Sequence, residues 1–158
     1  MKKNWFSFTR AMMLGTALAG SLLFASCDKD DDKPANNMYT ISGNGNGSQV
    51  VPAFTGTGTG TISGNYDKGT NRLDYNVAWT GLTDTASAVA LYTGAAGAAG
   101  TPVDSLSIST AGSTGNSTGS LTLTDAQETD LLGGKWYYSI GTLANTGGEV
   151  RGQITAAQ

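Results

Sequence analysis

The chain has 158 residues, of which 13% are charged, with no histidine and a single cysteine. The lack of histidine excludes a Ser-His-Asp triad and histidine-ligated zinc or copper, and one cysteine cannot form an internal disulfide. From Cys27 onward there are six basic and twelve acidic residues (6 − 12 = −6), so there is no basic patch and nucleic-acid binding is not expected.

The first 26 residues have the pattern of a secretion signal. Lys2, Lys3 and Arg10 give a positive start, and residues 11–25 form an uncharged, mostly apolar run that is short for a membrane span. The run ends in Phe-Ala-Ser before Cys27, which resembles the bacterial lipobox, where the cysteine is acylated after cleavage. We therefore predict a lipoprotein signal peptide at residues 1–26 and a lipid such as palmitate on Cys27; an ordinary signal peptide is the alternative.

Residues 27–37 are predicted to form an acidic flexible tether, because they offer no apolar side chain for a core and their like charges repel. The Lys-Asp-Asp order after Cys27 resembles the export signal of some Gram-negative surface lipoproteins. That resemblance implies a lipid anchor in the outer membrane, with the protein on the cell surface. The alternative is a solvated spacer that carries no export signal.

Residues 38–158 are predicted to be one all-β domain, a single antiparallel Greek-key β-sandwich of the immunoglobulin-like or superoxide dismutase-like type. Short alternating segments with frequent turn residues support this fold. The clearest pattern places Leu73, Tyr75, Val77 and Trp79 on one face of a strand. Other strands are predicted at residues 57–66, 86–92, 102–109 and around Leu121 and Leu123, and residues 111–119 are predicted as a turn.

One short helix is predicted at residues 125–132, at the edge of the sandwich. Thr124 and Gln127 have the spacing of a capping box, which satisfies free N–H groups at a helix start. Gly133 follows the last apolar pair, as is typical of a helix end.

The chain closes with two strands joined by a Gly/Asn loop. Trp136, Tyr138 and Ile140 share one face of the first strand, and Val150, Gly152 and Ile154 form an apolar row on the second. The alternate row of the second strand, Glu149, Arg151 and Gln153, is polar. This split predicts one buried and one wet face, with Glu149 and Arg151 forming an exposed ion pair.

The segment Gly-Glu-Val-Arg-Gly-Gln-Ile at residues 148–154, preceded by residues 131–137, resembles the end of a CHRD domain, the module named for chordin. Residues 39–43 and the Gln-Val-Val-Pro segment at residues 49–52 resemble the start of that domain. The resemblance covers residues 38 to 156 and implies an extracellular module. The residues of this motif, Gly148, Glu149, Arg151 and Gly152, are expected to have a structural role.

Many CHRD domains carry a His-x-His pair where this chain has Ala90-Leu91-Tyr92, so no metal role is carried over and no cofactor is expected. The aromatic residues Tyr92 and Tyr137 are candidate ligand contacts, since an exposed ring stacks on sugars or anchors a protein partner. Packing beneath the Gly/Ala loop at residues 93–101 is the other interpretation of both rings, and it is the one that the sequence favours.

The few carboxylates each have a structural explanation, so the chain is not expected to be an enzyme, and a glycosidase pair is disfavoured. The leading hypothesis is a non-catalytic lipoprotein that binds a protein or matrix partner. A carbohydrate-binding sandwich that uses exposed aromatic rings is the alternative.

Overall fold

The computed structural model describes residues 36–158. The predicted signal peptide, the lipidation site Cys27 and tether residues 27–35 lie outside the described residues.

The described chain contains nine strands, one α-helix and one short 3-10 turn at Gly47–Gln49. The elements are β1 Met38–Asn46, β2 Thr59–Asp67, β3 Arg72–Thr80, β4 Ala86–Thr93, β5 Thr101–Leu106, β6 Gly115–Thr122, α1 Asp125–Leu132, β7 Trp136–Thr142, β8 Val150–Gln153 and β9 Thr155–Ala157.

All strands belong to one antiparallel sheet in the order β5-β4-β7-β8-β1-β2-β3-β6, with β9 also paired to β1. The two edge strands approach each other: the Ser117 hydroxyl donates to the carbonyl of Ser107 at 2.7 Å, and Thr110 and Asn116 form a bridge. The sheet is therefore nearly closed into a barrel. The all-β class, the antiparallel pairing and the single short helix are confirmed; the Greek-key sandwich stays a prediction.

The core lies inside this curved sheet. The row Leu73, Tyr75, Val77 and Trp79 is at most 8% exposed, which confirms the face predicted for β3. Inner-facing residues of β7 and β8, and Ile154 directly after β8, contribute to the core as well. None of the five has exposed surface: Trp136, Tyr138, Ile140, Val150 and Ile154.

Strand β6 lies largely where the sequence predicted a turn, at residues 111–119. Its hydroxyl and glycine residues carry no strand-like alternation, but it pairs with β3 from Trp79↔Gly115 to Arg72↔Thr122. The partner strand, and not local pattern, therefore determines the conformation of this segment.

The helix has the predicted limits. The Thr124 hydroxyl accepts from the Gln127 N–H, the Gln127 side chain accepts from the Thr124 N–H, and the helix is capped at Gly133. Among the described residues, no helix has the length and apolar character needed to cross a membrane.

Glu128 connects the helix to β2. The Tyr66 hydroxyl donates to Glu128 at 2.6 Å, and the Lys68 ammonium lies 3.0 Å from the same carboxylate. The hydrogen bonds from Tyr66 and Lys68 hold the pKa of Glu128 below its ordinary value. Burial and the hydrogen bond to Glu128 raise the pKa of Tyr66, so this hydroxyl stays a donor.

Candidate functional site

The paired strands β7 and β8 form one part of the barrel, here called the β7–β8 wall. Both faces of this wall are covered, so the predicted solvent-exposed face is wrong. On the outer face Tyr137 is 6% exposed and Arg151 is 4% exposed. The cover consists of two loops distant in sequence, residues 94–100 and residues 48–53. Because these loops replace water, the polar row of β8 must find its hydrogen bonds within the protein.

Arg151 holds the first of these loops. Its Nη1 and Nη2 donate to the carbonyl oxygens of Ala98 at 2.8 Å and Ala95 at 2.9 Å. The guanidinium carbon lies 3.6 Å from the centroid of the Tyr137 ring, in the geometry of a cation–π contact. One side chain thus ties the Gly/Ala loop to the barrel wall.

The rings of Tyr137 and Tyr92 stack beneath the same loop. Their centroids are 5.0 Å apart with an angle of 6° between the planes, and the Gly100 N–H donates to the Tyr137 hydroxyl at 3.1 Å. Tyr92 is half-buried. Packing under the loop, which the sequence favoured for this ring, is therefore the arrangement found at Tyr137, and the alternative of an exposed ring is wrong. A ligand contact by either ring stays a prediction.

Gln153 completes the attachment of the loop. Its Nε2 donates to the carbonyls of Gly94 at 3.0 Å and Gly134 at 2.9 Å, and its backbone N–H reaches the Gln49 side chain at 3.4 Å. Gln153 therefore connects β8 to both covering segments.

Glu149 is fully buried and does not pair with Arg151. Its Oε1 accepts from the Thr83 N–H at 2.6 Å, and its Oε2 accepts from the hydroxyls of Thr83 at 2.8 Å and Thr142 at 3.1 Å. The ion pairs among the described residues are Lys68–Glu128, Arg72–Asp74 and Lys135–Asp130. The predicted exposed pair is wrong, because Glu149 turns toward the β3–β4 loop and Arg151 toward the Gly/Ala loop.

The presence of glycine at two positions of the motif has two different geometric explanations. Gly148 has φ +114°, a backbone conformation that other residues rarely adopt. A Cβ on Gly152 would lie 2.5 Å from Cε1 of Tyr138, which covers this position from inside the barrel. Gly148, Glu149, Arg151 and Gly152 thus each take part in a turn or a packing or hydrogen-bond contact, and their structural role stays a prediction.

A cleft of about 430 Å³ lies between the two covering segments. Residues 48–53 form one side, Ala96 and Gly97 form the other, and Arg151 and Gln153 contribute to its floor. Val51 is 44% exposed at the rim. This volume is within the range of small-ligand sites.

The cleft is lined by polar and apolar side chains that are suited to binding and not to acid catalysis. None of the residues lining it is acidic, and the described part of the chain holds no group of three or more His, Cys, Asp or Glu side chains suited to a metal ion. Gln49 and Gln153 were not predicted as site residues from the sequence. The signal was available in the family resemblance, because residues 49–52 and 148–154 are the two segments that carried it.

The comparisons with known proteins agree with that resemblance. The family model for the CHRD domain matches residues 41–154, which include all of the strands from β2 to β8. No curated protein and no solved structure matches the chain significantly. The matched segment spans most of the 158 residues, and the chain belongs to the CHRD domain family.

Proposed function

We propose that this chain is a non-catalytic binding module of the cell envelope that holds a protein or matrix partner in the cleft beside Arg151. Membership of the CHRD family suggests a binding module of extracellular type. The observation that carries the proposal is the cleft, which brings together the two segments that mark the family, residues 49–52 and β8.

The arrangement of the two glutamates supports a role without catalysis. Glu149 accepts three hydrogen bonds and is fully buried, while Glu128 is occupied by Tyr66 and Lys68. A general acid or base needs access to the proton that it transfers. Neither carboxylate is placed to reach a substrate in the cleft.

A protein partner is favoured over a carbohydrate. Sugar binding on a sandwich surface uses exposed rings, but the large hydrophobic side chains that are exposed in the described residues are Met38, Val51 and Leu143. Val51 lies at the cleft, where an aliphatic side chain contributes apolar contact area to a protein interface.

The binding role is tested by capture from envelope and extracellular material with the soluble domain as bait. The variant Ala96→Trp places a large ring on an exposed position of the cleft wall, and Ala99→Trp adds the same ring to an exposed position of the same loop outside the cleft. We expect a partner retained by the original chain and by Ala99→Trp, and lost with Ala96→Trp. Equal retention by both variants would reject the cleft as the site.

The envelope location is a separate part of the proposal and rests on Cys27, which precedes the described residues. Cys27→Ala should move the protein from membranes to the soluble fraction if the cysteine carries the lipid anchor. Protease treatment of intact cells should degrade the domain if it is displayed on the outer surface. A Cys27→Ala variant that stays membrane-bound would show another means of attachment.

A further inference from the structure

Arg151 carries a buried positive charge that no carboxylate within residues 36–158 pairs with. It is 4% exposed, and it takes part in none of the ion pairs between described residues. Buried arginines are normally paired with an acid, because removing the charge from water is costly. Here two carbonyl oxygens and the Tyr137 ring face the guanidinium, and these groups carry only partial negative charge.

Arg151 contributes to the floor of the cleft. An arginine has five N–H donors, and the described residues accept one bond from Nη1 and one from Nη2. None of the other residues lining the cleft is charged. An anion in the cleft would therefore meet a cation that is not neutralised within the described chain, in a site partly screened from water.

The walls indicate which kind of anion fits. Val50, Val51, Pro52 and Ala53 form one wall and Ala96 lies on the other, so the cleft that Arg151 lines has apolar side chains on both sides. A hydroxyl-rich acidic sugar gains little from such walls. A peptide carboxylate next to an apolar residue places its charge over Arg151 and its side chain against Val51 or Ala96.

We propose that this cleft recognises the C-terminal carboxylate of a polypeptide whose last residues are small and apolar. The inference rests on the proposed binding function and gives the partner class for the same cleft. Recognition requires a free carboxylate, since the amide of the same peptide lacks the charge that complements Arg151.

The test is an NMR titration of the full-length protein in detergent with acetylated Ala-Val-Ala tripeptide, as the free acid and as the C-terminal amide. We expect the acid to shift the amide signals of residues 49–53 and 96–97 and to bind at least fivefold more tightly than the amide. Val51→Asp adds a negative charge at the exposed rim and should abolish this preference. Leu143→Asp makes the same change at a side chain that is 67% exposed and does not line the cleft, and it should leave the preference intact.

Equal binding of acid and amide, or shifts that lie away from the cleft, would overturn the proposal. Glucuronate binding at residues 49–53 in the absence of any tripeptide binding would overturn the peptide as the source of the carboxylate. Failure of this titration while Ala96→Trp still blocks partner capture would reject carboxylate recognition and leave the binding function standing.

Discussion

The Arg151 guanidinium lies 3.6 Å from the centre of the Tyr137 ring, on the outer face of the β7–β8 wall. The same guanidinium donates to Ala95 and Ala98, and the Tyr137 hydroxyl accepts from Gly100. The pair therefore fixes both ends of the loop at residues 94–100. This loop forms one side of the cleft, so the geometry of the proposed binding site depends on this contact.

Arg151→Lys should loosen the loop although the charge is kept. A lysine offers one ammonium group in place of the planar fork, so it cannot donate to Ala95 and Ala98 with the same geometry. We expect a loss of about 1–3 kcal/mol in the free energy of unfolding, measured in urea. Amide hydrogen exchange should rise in residues 94–100.

Arg72→Lys is the matched control. Arg72 pairs with Asp74, but the two side chains are 57% and 56% exposed, so the same substitution should change stability by less than about 0.5 kcal/mol. If the two variants lose the same stability, the Arg151 contacts do not hold the loop.

Glu149→Leu should destabilise the chain more than Glu149→Gln. Leucine removes every acceptor for the Thr83 N–H and for the hydroxyls of Thr83 and Thr142, and we expect a cost of about 2–3 kcal/mol in urea. Glutamine keeps one oxygen for the N–H, and the hydroxyls can rotate to accept from its amide, so its cost should be less than half. Equal losses would show that packing, not hydrogen bonding, determines the need for Glu149.

The inner face of the barrel could be predicted from the sequence, because its signals are local. The alternation of Leu73, Tyr75, Val77 and Trp79 is contained within one strand, and the capping box of Thr124 and Gln127 spans four residues. Period-two and helix-start patterns are set by the geometry of the backbone itself. Both predictions agree with the structure.

The outer face could not be predicted, because its contacts join distant segments. Arg151 reaches Ala98, 53 residues away, and Glu149 reaches Thr83, 66 residues away. A polar row in a strand has the same pattern whether water or a loop covers it. The position of β6 was missed for a similar reason, since its conformation depends on pairing with β3.

Gly152→Ala should disturb the wall between β7 and β8. The added Cβ would lie 2.5 Å from Cε1 and 2.6 Å from the hydroxyl oxygen of Tyr138, a ring that is fully buried. We expect a loss of about 1–3 kcal/mol in the free energy of unfolding.

Gly147→Ala is the control, because its Cβ would meet nothing within 4 Å and its φ is not positive. That variant should be neutral or slightly more stable, and a Gly152→Ala protein of unchanged stability would contradict the packing of Tyr138.

Glu128 should make the stability of the chain depend on pH in the acid range. Its pKa is lowered in the folded state, first by the Tyr66 hydroxyl and then by Lys68, relative to an ordinary value of about 4.3. A lowered carboxyl pKa stabilises the fold above the unfolded pKa, and this contribution is lost as pH falls through the folded value. The original chain should therefore be more stable than Glu128→Gln at pH 7, and the two should converge as pH falls below about 4. Urea titrations of both proteins across this range measure the difference.

Tyr66→Phe keeps the buried ring and removes the main donor, so in this background the Glu128→Gln substitution should produce a smaller pH-dependent difference. A difference that stays constant from pH 7 to pH 3 would show that Glu128 contributes through packing and not through its charge.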